Sequence, residues 1–149
     1  MSDDDKPPSD RLAIWIDNRQ PSELDEPALI ELAHLTLVGE GLSDVELSVS
    51  FVDEAEIEDL HVRYMDEPGP TDVLSFPLDA TDEQGRRLLG DVVIAPAVAA
   101  RNNPSELGGE LRLLLVHGIL HLLGYDHEQD AEKAVMWARQ ERYSGVRAP

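Results

Sequence analysis

The chain has no cysteine among its 149 residues. It therefore has no disulfide framework, no thiolate nucleophile and no cysteine-based zinc finger, and any metal site must be built from histidine and carboxylates. Lysine is nearly absent as well: only Lys6 and Lys133 occur, the other ten basic residues are arginines, and 31 Asp and Glu outweigh them to a formal net charge of -19. That total is the reverse of the broad cationic footprint with which proteins grip nucleic acid. No apolar run reaches the roughly 18 residues of a membrane span, and the opening MSDDDKPPSD is acidic where a secretory leader is basic and then apolar. Membrane and secreted classes drop out, and a cytoplasmic protein is expected.

What is present is ordinary for a globular protein, with 42% hydrophobic and 29% charged residues, and the length suits one domain that buries about two-thirds of its unfolded surface. Residues 1–10, with three consecutive aspartates and two prolines, read as a disordered acidic tail, and residues 11–145 as the domain. Leu12, Ile14 and Ile16 alternate as a strand, and so do Val45, Leu47, Val49 and Phe51. Between them Asp25 caps a helix with Pro27 in its first turn, ended by Gly39 and Gly41. Asp53 and Glu56 have capping-box spacing ahead of a helix through Ile57, Leu60, His61 and Tyr64, which Pro68, Gly69 and Pro70 break. Val73 to Phe76, bounded by Pro77, and Val92 to Ile94, stopped by Pro96, give two more strands joined through the polar stretch 79–87. Ser105 is expected to cap a helix through Leu107 to Leu122 that is apolar almost all round and so central to the core, with Gly124 ending it. A last helix runs from about Asp130 to Tyr143. The pattern is α+β, a mixed sheet of about four strands packed with about five helices.

His117, His121 and His127 stand in HGILHLLGYDH, three of the five histidines inside eleven residues. Residues four apart on a helix share a face, so His117 and His121 can address one ion. Gly124 can take positive φ and turn the chain over the helix end, returning His127 to the same point. Three neutral imidazoles suit zinc, one ion per chain, and three protein ligands with an open fourth position is a catalytic pattern, with water or substrate in that position. His34 and His61 lack such spacing and read as structural or surface histidines. In zinc peptidases of the H-E-x-x-H type a similar central helix holds the metal and a Glu between the histidines is the base. Here that position is Gly118, so a zincin-like helix lacks its peptidase base.

HGILHLLGYDH, with PTDVLSFP at Pro70 to Pro77 and GDVVIAP at Gly90 to Pro96, resembles the YbeY family of bacterial endoribonucleases, over about Val45 to Tyr143. The resemblance implies a single compact α+β domain, a zinc ion on His117, His121 and His127, single-strand-specific cleavage of RNA, and a role in maturing the 3′ end of small-subunit ribosomal RNA and in ribosome quality control. It implies ribosomal RNA and the ribosome as partners, and neither DNA nor a membrane. One position departs from it: many members carry Arg after the aromatic residue that Tyr64 matches, and here stands Met65. Arg63 lies about 200° around the helix from Met65 and cannot substitute.

A divalent ion on neutral ligands keeps its double positive charge, a local phosphate site within an acidic protein. Its water is the expected nucleophile. Asp91 and Asp126 are candidates to orient a ligand ring or that water, while Thr71, Asp72 and Ser75 read as turn and strand-start residues. Two other readings stand beside this one: a metallopeptidase or small-molecule hydrolase with its base elsewhere, and a non-catalytic ribosome-assembly factor stabilised by its metal.

Overall fold

The computed structural model describes residues 12–66 and 71–146; the acidic tail and the break at Pro68 to Pro70 fall outside them. Nine elements follow in the order β1 (Ala13–Asn18), α1 (Glu26–Gly39), β2 (Val45–Phe51), α2 (Glu54–Met65), β3 (Val73–Thr81), β4 (Arg87–Ile94), α3 (Pro96–Asn102), α4 (Leu107–Leu122) and α5 (Asp130–Ser144). The strands form a mixed sheet in the order β1-β2-β4-β3. β1 runs parallel to β2 and β2 to β4, while β3 pairs antiparallel with β4 as a hairpin.

The strand alternation sorts side chains to two faces. On one, Leu47, Val49, Phe51, Val92 and Ile94 meet α1 and α4 in the main core, with Leu37, Leu115, Ile119, Leu120 and Met136. On the other, Val52, Ile57, Leu74, Val93, Ala95 and Val98 form a smaller cluster beneath α2 and α3. α4 buries Leu111, Leu113 to Val116, Gly118 to Leu120 and Leu122 and packs against α1, α3, α5, β3 and β4. Its nearly continuous apolar surface is what a central helix requires.

Two caps form as expected: Asp25 accepts from the Ala28 N–H at 3.2 Å and Asp53 from the Glu56 N–H at 2.8 Å. The capping box is only half made, because the Glu56 carboxylate turns to Arg19 at 2.6 Å. Ser105 does not cap α4. A turn closed by the Glu106 N–H on the Asn103 carbonyl intervenes, and the helix starts at Leu107 with no side-chain cap; burial on every side supplies its stability instead. Pro77 does not end β3 either, since at the sheet edge proline's missing N–H breaks no ladder bond and a register shift between Pro77 and Ala80 absorbs its shape. Opposite it Gly90 has φ +129, and a Cβ there would stand 2.2 Å from the Phe76 carbonyl oxygen, so only glycine lets β3 pass this close. Pro96 stops β4 and also opens α3, a seven-residue helix with proline in its first turn. α1 keeps Gly39 as its last residue, and Gly41, at φ +80, makes the turn beyond it.

Candidate metal centre

α4 delivers His117 and His121 one turn apart, with ring centroids 4.8 Å apart. Past Leu122 the backbone closes on itself: the Gly124 N–H reaches the His121 carbonyl and the Tyr125 N–H the Leu120 carbonyl. Gly124 adopts φ +100, the left-handed turn expected of it. His127 then arrives 5.5 Å from the His117 ring and 5.1 Å from the His121 ring. One nitrogen of each ring lies within 4.8 Å of the others, close enough to converge on a single ion. His117 and His121 are half-buried and His127 is exposed.

The His117 Nδ1–H donates to the Gln140 amide oxygen at 2.7 Å. An amide oxygen can only accept, so Nδ1 carries the proton and Nε2 keeps the lone pair a metal needs. Burial pushes the His117 ring below the ordinary histidine range, and nearby His121 and His127 add to this, against the Gln140 hydrogen bond and the Asp72 charge. His121 is pushed down by burial and by His127, with Asp126 opposing. Both rings therefore favour the neutral, ligating form. Three imidazoles and no thiolate form a donor set that fits zinc, with room for a further ligand. Trp137 stands edge-on to His117 and His127, at 5.9 and 5.5 Å between centroids.

The three rings open on a cleft of about 390 Å³ that Met65, Thr71, Asp72 and Ser75 also line. Among the described residues lining it there is neither Arg nor Lys, and Asp72 is the one carboxylate. Ser75 Oγ donates to the Gly118 carbonyl at 3.0 Å, fixing β3 against α4 between the two helical histidines. A Cβ at Gly118 would stand 2.6 Å from Val92 Cγ1, so a glutamate base at this position has no space.

The other sequence candidates separate. Asp126 lies at the loop, but its carboxylate accepts from the His127 N–H at 2.7 Å and so shapes the backbone that carries His127. Asp91 is not in the site. Because Val92 faces α4, its neighbour Asp91 faces the opposite side of the sheet, where it lines a separate cleft with Arg19, Ser50, Tyr64 and Phe76. Met65 lines the metal cleft, whereas Arg63 points away and pairs with Asp59 at 2.9 Å. His34 in α1 and His61 in α2 are outside the cluster. Sequence reasoning missed Gln140 and Trp137. The available signal was a polar residue at position 140 on the buried face of α5, in helical spacing with Met136 and Tyr143.

The family model described as Endoribonuclease YbeY matches residues 16–145. Curated proteins named Endoribonuclease YbeY are similar to the chain: that of Streptomyces coelicolor is 44% identical over 87% of this chain and 86% of its own. The one from Leifsonia xyli is 46% identical over 87% and 91%, and the one from Mycobacterium leprae 39% over 88% and 80%. A Thermotoga maritima protein solved in solution superposes with a TM-score of 0.57 at 33% identity, covering 88% of this chain and 86% of that one.

Proposed function

The chain belongs to the YbeY endoribonuclease family, and from that premise we propose that it is a zinc-dependent endoribonuclease that cleaves single-stranded RNA in the maturation of ribosomal RNA. Its substrate in this reading is the 3′ region of small-subunit ribosomal RNA, met on the ribosome or its small subunit in the cytoplasm. No described helix is long and apolar enough to cross a membrane. The observation that carries the reading is the convergence of His117, His121 and His127 at the floor of an open cleft.

When bound, an ion held by these residues supplies Lewis-acid chemistry, polarising a phosphoryl oxygen and making water a stronger nucleophile near neutral pH. The chain's own groups do the rest. Gln140 fixes the His117 tautomer through Nδ1–H and presents Nε2. Asp72 faces the cleft, its carboxylate steadied by the Asn102 side-chain amide at 3.2 Å, and is the group available to accept a proton from the attacking water. Met65 offers the phosphate backbone no charge, and the described residues lining the cleft include neither Arg nor Lys. A peptidase reading has no support at Gly118, where the base would clash with Val92.

The test is elemental analysis beside cleavage of a single-stranded ribosomal RNA fragment, for wild type and His117→Ala. Near-stoichiometric zinc and cleavage should disappear together while the far-ultraviolet circular dichroism of the variant stays native. Bound zinc with intact RNA under all conditions sinks the catalytic reading and leaves a metal-stabilised assembly factor.

A further inference from the structure

Two of the three candidate ligands are fixed by α4; the third, His127, is exposed and sits in the connection to α5, outside any helix. What holds that connection decides whether the third imidazole is in place. On its inner side the Tyr125 N–H bonds the Leu120 carbonyl. On its outer side the Tyr125 hydroxyl donates to Glu40 Oε1 at 2.6 Å.

Glu40 follows directly on α1, with its side chain only 6% exposed. A carboxylate so enclosed is costly unless its oxygens are satisfied, and here both are: Oε2 accepts from Arg139 Nη1 at 2.7 Å and from the Tyr143 hydroxyl. Burial pushes this carboxyl up, but the hydrogen bonds from Tyr125, Tyr143 and Arg139 outweigh it and hold it below the usual glutamate range, as a charged acceptor. The Arg139 guanidinium also lies 5.3 Å from the centroid of the Tyr125 ring, clasping the same tyrosine from α5. The node is closed sterically as well, since a Cβ on Gly39 would stand 2.4 Å from Tyr143 Cε1. One buried carboxylate thus joins the end of α1, the ligand loop and α5.

We propose that Glu40 is a positioning residue for the metal centre: by accepting the Tyr125 hydroxyl it anchors the loop that carries His127 and places the third imidazole. The proposal rests on the reading of the three histidines as a metal site. It separates two roles within the node, since the Tyr125 arm serves the loop while the Tyr143 arm serves only the packing of α1 on α5.

The experiment uses the full chain, stripped of metal, with zinc affinity measured against a chromophoric chelator and the melting temperature followed in excess chelator. Tyr125→Phe and Glu40→Leu, which leaves no acceptor for the Tyr125 hydroxyl, should each weaken zinc about 10- to 100-fold, the range typical for loss of a group that orients a ligand. The double variant should lose no more than the larger single loss, because both remove one interaction. Tyr143→Phe should lower the melting temperature of the metal-free chain and leave zinc affinity unchanged. Cobalt substituted for zinc should show altered visible absorption bands in Tyr125→Phe and unaltered ones in Tyr143→Phe. Tyr125→Phe removes a single oxygen, so it carries the test even if Glu40→Leu does not fold. Wild-type zinc affinity and an unaltered cobalt spectrum in Tyr125→Phe would overturn the proposal, as would additive losses in the double variant. A wild type that takes up no zinc would overturn the three-histidine reading, an outcome distinct from a wild type that binds and variants that bind equally well.

Discussion

An imidazole has two nitrogens and one proton to place when neutral, and a ligand is only as good as the group that decides which nitrogen keeps its lone pair. At His117 that group is the Gln140 amide oxygen, itself almost wholly buried. Gln140→Leu fills similar space without an acceptor, so it should reduce zinc affinity about 10- to 100-fold with little change in the melting of the metal-free chain, whereas Gln140→Glu, which still accepts, should bind. Chelator competition and thermal melting of the two variants check this, and equal affinity in wild type and Gln140→Leu would remove Gln140 from the site. The convergence of the three histidines was legible in the sequence because its geometry is local: one helical turn from His117 to His121, then a glycine turn back to His127. Gln140 was not, because it meets His117 across 23 residues from another helix. Asp91 was misplaced for a related reason. Which face a strand residue takes depends on the parity of the pairing, and composition does not reveal it.

At the scale of elements, α4 presses the turn that bears His117 and His121 onto the sheet through a residue with no side chain. Alanine is favoured over glycine in a helix by up to about 1 kcal/mol. At Gly108, with nothing within 4 Å of an added Cβ, that preference should act alone, and Gly108→Ala should stabilise the chain by up to about 1 kcal/mol. At Gly118 the same Cβ meets Val92 at 2.6 Å, and overpacking of this kind costs about 1 to 3 kcal/mol, enough to reverse the sign. Urea unfolding of the two variants without metal should therefore shift in opposite directions, and a stabilising Gly118→Ala would show that α4 and β4 can part without strain. Periodicity revealed the long elements, since an apolar stripe repeated over three or four turns or a seven-residue alternation has few alternatives. It missed α3, where seven residues are too few to show a period and Pro96 reads equally as an end and a beginning. It shortened β3 at Pro77 because only the pairing order makes that strand an edge.

At the scale of the molecule, strand order and the identity of the edge are properties of long-range pairing, and hydropathy along the chain carries no trace of them; net charge is the opposite case, fully written in the sequence. A body of charge -19 must approach a polyanion, and the described residues lining its cleft offer Asp72 and no Arg or Lys. A divalent ion held by the three histidines would supply attraction only at short range, while the rest of the RNA faces the whole acidic surface. The reach of that repulsion is set by salt, about 30 Å at 0.01 M and 10 Å at 0.1 M. Proteins that hold nucleic acid through lysine and arginine lose affinity as salt rises, because counterion release drives their binding. Here the sign should invert: kcat/KM for a single-stranded RNA oligomer should rise between about 0.01 and 0.15 M salt, with kcat nearly constant and with longer oligomers gaining more. Initial rates at subsaturating RNA across that range, with zinc held saturating, measure it. A falling kcat/KM would mean that RNA follows a cationic track the cleft does not contain, and recognition would then have to be sought away from the three histidines.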